Sequence, residues 1–370
     1  MFNTGTTSGR IAVLDGWRCF SILLVMYGHI ARWSSIGHML PFRGYESVGV
    51  EFFFVISGFV ICSSLLAEFE GSGKISIGSF YIRRCFRILP PLILFLLVVW
   101  CVGIASARSV AKAGLFLCNL VSVSCDLSIV HTWSLAYEEQ FYVLVPLPLV
   151  LALRFGRRRI LLVTALAWPA LVAVLYCFRY TASLAFYLYW FELLLFGTAF
   201  ALYRDPAARI VRRIGPMGLY IAVPLIFVAY VSGTGLSTFS TKTIIMLFVD
   251  FPLMAYAVFA STCVRTVFHP ILESRPARYL GRISYGIYLF QQPLLVSDAG
   301  HGPLFYIAAV IAIIVMAAFS YTFIEAPLIR LGGRLASRLQ YVSQSATAAA
   351  ADRTGSPEQH APSRYARGLS

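Results

Sequence analysis

Asp15, Arg18 and His29 stand within one apolar stretch of the chain. Ionisable side chains are costly in such a stretch unless they are paired, wetted or used. Arg18 and His29 are eleven residues apart. On an α-helix that spacing is three turns plus roughly 20°, so both share a face, about 16 Å apart along the axis. Asp15 precedes Arg18 by three residues and can pair with it. One helix face then carries an anion-binding group at one level and a titratable base at another. That suits an anionic substrate held near Arg18 and proton transfer at His29. An Asp–Arg pair joining helices, with a satisfied core histidine, accounts for the same spacing.

Further acids stand inside or beside apolar runs: Glu51, Glu138, Glu139, Glu192, Asp250 and Glu325. Any of them can orient a histidine and stabilise its protonated form. Any can equally be a charge near a helix N-terminus. For Glu192 and Asp250 a structural role is the simpler account. Arg83, Arg84 and Arg87 precede a long apolar run from Ile88. Arg83 and Arg87 are four apart and share a helix face. Arginine forks match phosphate oxygens at two points, so the cluster can clamp a phosphate. Ordinary cytoplasmic loop charge explains it as well. The eight cysteines are scattered with no CxxC spacing for a metal or redox centre, so no metal site is expected. Cys118 and Cys125 can pair if their loop is extracytoplasmic.

The elements that must position these groups are membrane helices. Hydrophobic residues make up 59% and charged residues 12% of the chain. The mean hydropathy is +0.78. A soluble domain carries about twice that charged share. Apolar segments at 11–32, 48–67, 84–104, 137–153, 160–178, 183–203, 217–233, 243–263, 280–297 and 303–324 predict an all-α polytopic protein with about ten spans. The net charge of +14 has no basic stripe or reader motif behind it, so no nucleic-acid partner is expected.

Charge sets the orientation. One set of loops gathers Arg10, Lys74, Arg83, Arg84, Arg87, Arg154, Arg157, Arg158, Arg159, Arg204, Arg209, Arg212 and Arg213. Arg265, Arg275, Arg278, Arg282, Arg330, Arg334 and Arg338 follow on the same side. The opposite loops hold only Arg32, Arg43, Arg108, Lys112, Arg179 and Lys242. Both termini are then expected in the cytoplasm. The apolar stretch Ala113–Val121 would invert the later clusters if it crossed, so it reads as a re-entrant or surface helix in an outer loop. The expected organisation is a cytoplasmic N-terminus at 1–10, a membrane domain at 11–335 and a disordered cytoplasmic tail at 336–370, rich in Ser, Ala, Gly and Pro.

These segments together carry a family resemblance. Leu14-Asp-Gly-Trp-Arg18 followed by His29 fits an Arg-x10-His signature. Gly49-Val-Glu-Phe-Phe-Phe-Val-Ile-Ser-Gly-Phe59, Phe80-Tyr-Ile-Arg-Arg-Cys-Phe-Arg-Ile-Leu-Pro90 and His131-Thr-Trp-Ser-Leu-Ala-Tyr-Glu-Glu-Gln-Phe-Tyr142 follow in order. Ile283-Ser-Tyr-Gly-Ile-Tyr-Leu289 and Phe323-Ile-Glu-Ala-Pro327 complete the set. The chain resembles the acyltransferase-3 family of bacterial membrane O-acyltransferases. The resemblance implies a multi-pass protein of the bacterial inner membrane. It would move an acyl group, acetyl by default, from cytoplasmic acyl-CoA to a carbohydrate hydroxyl, on a cell-envelope polysaccharide or an exopolysaccharide precursor. It further implies that His29 is catalytic, that Arg18 engages the donor and that Arg83, Arg84 and Arg87 meet the CoA phosphates. No permanently bound cofactor is expected; acyl-CoA is a substrate. Two departures stand out. Tyr288-Leu-Phe-Gln-Gln-Pro293 places Gln291 where a second histidine is common. No fused extracytoplasmic hydrolase-like domain is expected, so the membrane domain or a separate partner would complete transfer.

His29, supported by Asp15 and Arg18 and by an acid such as Glu138 or Glu139, would take the proton of an acceptor hydroxyl that attacks the thioester. Holding both reactants supplies rate through proximity. Ser57, Trp133, Ser134 and Tyr137 are candidate donors to the oxyanion. Glu51, Tyr288 and Glu325 are further candidates for the site. Two other classes fit the intramembrane charges. One is a transporter or flippase for a lipid-linked sugar, with Asp, Arg and His along its path. The other is a scaffold in an export complex, for which His29→Ala would be silent.

Overall fold

The structure, a computed structural model, describes residues 11–354 apart from 36, 40–43, 121–122, 179–181, 235–238 and 297–300. The expected N-terminus at 1–10, with Arg10, and the loop arginines Arg43 and Arg179 lie outside the described residues. Among the described residues every regular element is helical. The ten expected segments correspond to α1 (Ala12–Trp33), α2 (Glu46–Ser72), α3 (Ile77–Cys101), α4 (Thr132–Arg154) and α5 (Arg158–Cys177). They continue with α6 (Ser183–Leu202), α7 (Met217–Thr234), α8 (Lys242–Cys263), α9 (Arg275–Leu295) and α10 (Pro303–Tyr341).

Seven of these are long and apolar enough to cross a membrane, and α7 makes an eighth together with the helix Arg204–Ile214, bent from it by 96°. α1 and α9 are long enough, at 22 and 21 residues, but more polar. They pack along each other, so their polar residues meet protein rather than lipid. Solvent-facing apolar rows tell the same story from outside. Val163, Leu166 and Val174 on α5 and Leu304, Ile307, Ile311, Val315 and Phe319 on α10 are exposed at helical spacing. Such rows need a hydrocarbon environment.

Local chemistry sets the helix ends. Ser76 caps α3 by accepting from the Ser79 N–H at 3.4 Å, so α3 starts at Ile77, ahead of the expected 84. Ser274 caps α9 in the same way at 3.3 Å, with proline in the first turn. α2 and α6 approach closely through reciprocal glycines. A Cβ on Gly58 would strike the Leu194 carbonyl, and one on Gly197 would strike the Val55 carbonyl. α1, α2 and α9 form the centre, α6 backs α2, and the end of α10 packs on α3.

Two expectations change in detail. The helix in the loop after α3 is Ala107–Gly114, not Ala113–Val121, whose residues 115–120 form turns. Ser106 caps that helix, and Phe116 with φ 55° marks the turn after its end. α10 also runs on. It passes a π turn at Tyr321–Glu325 and continues as Ala326–Thr354, so residues 336–354, expected in an unstructured tail, are helical. Ala336 is buried there and its carbonyl accepts from Ser79 at 2.9 Å, while Gln340 donates to Glu68 at 3.0 Å. Residues 355–370 lie outside the described part.

Candidate active site

α1 brings Asp15 and Arg18 together at 3.1 Å, the pair that their i,i+3 spacing predicts. Arg18 lines a cavity, partly open to solvent, built by α1, α2, α3, α4 and α9. Arg84 and Arg87 reach it from α3, and Arg282 reaches it from α9. Four guanidiniums therefore face a space whose lining carries one carboxylate, Glu138. Arg282 is exposed, and its Nε donates to the Arg278 carbonyl at 3.2 Å. Arg84 lies over the Tyr142 ring at 5.0 Å and the Phe80 ring at 5.7 Å, which holds a flexible cation in a fixed place.

Glu138 accepts hydrogen bonds from the Ser57 and Tyr142 hydroxyls. It is thereby tied to α2 and to the next turn of its own helix. Glu139, its neighbour, has a buried oxygen without a partner and lies within electrostatic reach of Arg84. Further along the cavity, the Ser134 and Tyr288 hydroxyls share a hydrogen bond of 2.6 Å, and Tyr288 donates to the His131 carbonyl at 3.0 Å. Tyr285 donates to the Ile88 carbonyl at 3.0 Å, which pins α9 to α3 beside the cavity.

His29 lies outside the residues that line this cavity. Its Nδ1 is buried without a hydrogen-bond partner, and it stands within electrostatic reach of Arg32 and His131. His131 is buried, its Nε2 lies 3.1 Å from the Leu289 carbonyl, and its Nδ1 has no partner. No carboxylate among the described residues bonds to His29; Glu138 and Glu139 face elsewhere. Glu51 belongs to a separate buried group with Asp250 and Lys242. Glu325 accepts from Ser320 at 3.0 Å in the π turn of α10, within electrostatic reach of Arg87.

The three arginines of α3 divide. Arg84 and Arg87 line the cavity, whereas Arg83 bonds Glu68 at 3.1 Å. Trp133 and Tyr137 lie on the other face of α4 from Ser134 and Glu138, and line a second cavity. Gln291 is fully buried with neither amide atom partnered. Sequence reasoning did not single out Arg282, Tyr142, Tyr285 or His131. Arg282 reads as loop charge by composition. The other three fall inside motif blocks, where only their neighbours carried obvious chemistry.

The fold is an all-helical membrane bundle whose inner cavity gathers four arginines around one carboxylate at the edge of an apolar interior. The chain belongs to the acyltransferase-3 family (Acyl_transf_3, acyltransferase domain), which matches residues 11–326. It is similar to the O-acetyltransferase OatA of Staphylococcus aureus, 29% identical over 366 residues, covering 86% of this chain and 57% of that protein. It is also similar to the putative peptidoglycan O-acetyltransferase YrhL of Bacillus subtilis, 29% identical over 377 residues, covering 89% of this chain and 56% of the relative. The putative O-acetyltransferase SAR0937 of Staphylococcus aureus is 27% identical over 375 residues, with 90% and 59% covered. The chain thus spans under two thirds of the length of these relatives. No solved structure matches it.

Proposed function

We propose that this protein is a membrane O-acyltransferase of the bacterial inner membrane. It moves an acyl group, acetyl in the first instance, from cytoplasmic acyl-CoA to a carbohydrate hydroxyl of a cell-envelope polysaccharide or exopolysaccharide precursor. The observation that carries this is the convergence of Arg18, Arg84, Arg87 and Arg282 on one cavity with a single carboxylate in its lining. Guanidiniums gathered on one cavity suit a polyanion, and the phosphates of CoA would supply one. The cavity continues inward between Phe53, Phe54 and Ile88, apolar walls that suit the donor's uncharged arm.

His29 stands about 16 Å from Arg18 along α1, so an extended arm links the phosphate end to the base. His29 takes the proton of the acceptor hydroxyl as its oxygen attacks the thioester carbonyl. The C–S bond then breaks, the ester forms, and the CoA thiolate leaves and regains a proton. His131, within electrostatic reach of His29, would share that proton. The paired hydroxyls of Ser134 and Tyr288, next to the His131 carbonyl, would serve as donors to the developing oxyanion.

The test is release of free CoA from acetyl-CoA by the protein in lipid bilayers, with envelope glycans as acceptors. Wild type is expected to give acceptor-dependent release that His29→Ala abolishes. Folded wild type that consumes no acyl-CoA with any donor or acceptor would overturn the proposal in favour of sugar transport.

A further inference from the structure

α4 has two working faces. Ser134, Glu138 and Tyr142 face the arginine cavity at i, i+4 and i+8. Trp133 and Tyr137, also four apart, face a second cavity of about 510 Å³, open to solvent. Its rim comes from the loop after α3, through Cys118, Asn119 and Leu120, and Cys118 is disulfide-bonded to Cys125. Its far wall is Tyr176 of α5 with Phe186 and Trp190 of α6.

Aromatic residues near the end of a membrane helix are commonly an interfacial belt facing lipid. These face inward. Trp133 and Trp190 pack on each other at 4.7 Å, and Phe54 meets both edge-on at 6.3 and 6.1 Å. Tyr137 is 1% exposed, yet its hydroxyl has no hydrogen-bond partner. A hydroxyl so placed on a cavity wall costs free energy unless something in the cavity completes it. Neither indole N–H of Trp133 and Trp190 meets a protein acceptor among the described residues. Beside them, the Asn119 and Gln140 amides hold each other at 2.7 and 3.2 Å, and Tyr187 donates to Gln140 at 2.9 Å. The polar rim is thereby fixed before any ligand arrives.

Flat aromatic faces interleaved with fixed O–H and N–H donors match one ligand chemistry. A pyranose ring presents C–H groups on its faces and hydroxyls around its edge, whereas an acyl chain uses no donors. We propose that this second cavity is the binding site for a pyranose unit of the glycan acceptor. Trp133 and Trp190 form the stacking platform, and Tyr137 and Asn119 are the edge contacts. The proposal deepens the acyltransfer function above and rests on its carbohydrate acceptor. Phe54 and α4 stand between the two cavities, and Val130, on the second cavity's wall, directly precedes His131. Donor and acceptor would thus approach the histidines from opposite sides of one helix.

The experiment is direct saccharide binding by the full chain in nanodiscs without acyl-CoA. It reads intrinsic tryptophan fluorescence against β-1,4-linked tetramers of N-acetylglucosamine, glucose and mannose. At least one tetramer is expected to shift the emission saturably. Trp190→Ala should weaken that binding about tenfold and Trp190→Phe much less, since an aromatic face survives. In CoA-release assays Trp190→Ala should raise the KM for acceptor and leave the KM for acetyl-CoA alone. Thermal melting of each variant checks that it is folded. Absence of saturable binding to all tetramers, or equal binding by folded Trp190→Ala, would overturn the proposal. So would quenching by brominated lipid tails with no saccharide competition, which would assign the cavity to lipid. Saccharide binding that depends on Trp190 without any CoA release would sink the acyltransfer function and leave this site standing.

Discussion

At the scale of single residues, the α3 arginines separate a clamp from ordinary loop charge. Arg83 is bonded to Glu68 and turned from the cavity, while Arg84 and Arg87 line it. Arg84→Ala and Arg87→Ala are each expected to raise the KM for acyl-CoA about tenfold, and Arg83→Ala about twofold or less. Steady-state kinetics with varied acetyl-CoA checks this, and equal losses at all three positions would contradict it. The sequence could not separate them, because i,i+4 spacing favours Arg83 and Arg87. The deciding contact is Glu68, near the end of the preceding helix. Asp15–Arg18 was legible because both partners sit on one turn. Glu192 is the converse case, an acid with no task in the cavity. It is fully buried on α6 with both oxygens unpartnered. A bare carboxylate there is costly, so Glu192→Gln should fold and keep acyl-CoA turnover within about twofold. Loss of activity in a folded variant would instead give Glu192 a role in the reaction.

At the scale of elements, the segment between α3 and α4 shows how a loop becomes a wall. Asp126 accepts the Ser106 N–H at 2.7 Å, the Asp126 N–H donates to Ser109 Oγ at 3.1 Å, and Lys112 donates to the Ser124 carbonyl at 2.8 Å. The Ser106 hydrogen bonds, and then Ser109 and Lys112, hold the Asp126 carboxyl below its ordinary value despite slight desolvation. A depressed carboxylate contributes stability above its unfolded value of about 3.9 and loses it as pH falls through the folded value. Hydrogen exchange at the Ser106 amide should therefore stay protected from neutral pH to about pH 4 and open below it. Asp126→Asn should remove that step; an unchanged profile would show that the disulfide alone holds the loop. The sequence placed a helix in this loop but several residues late. Apolarity at 115–120 suggested it, whereas capping by Ser106 and the turn at Phe116 fixed its limits. The two-faced use of α4 was likewise hidden. Trp133 and Ser134 are neighbours in sequence and serve different cavities only because six other helices surround them.

At the scale of the whole molecule, two independent signals bear on orientation. Charge gathers arginines at the end where α3 begins, and positive charge favours the cytoplasm. Redox chemistry speaks for the other end, because Cys118 and Cys125 are bonded in the loop after α3, and disulfides persist in oxidising compartments. The composition made the membrane plain, and ten segments could be read directly. Orientation rested on charge until the disulfide supplied a second, chemically unrelated signal. Both favour the orientation in which the arginine cavity opens to the cytoplasm and the aromatic cavity faces the envelope. In intact spheroplasts a membrane-impermeant reductant followed by an impermeant maleimide should therefore label Cys118 and Cys125. Without reductant only thiols exposed at that end, such as Cys101 and Cys177, can react. Replacing both loop cysteines by serine should abolish the reductant-dependent part, which mass spectrometry of the labelled peptides assigns. Labelling of this pair only after permeabilisation would invert the molecule. The guanidiniums would then face a compartment without acyl-CoA, and both the donor site and the acceptor site would need another occupant.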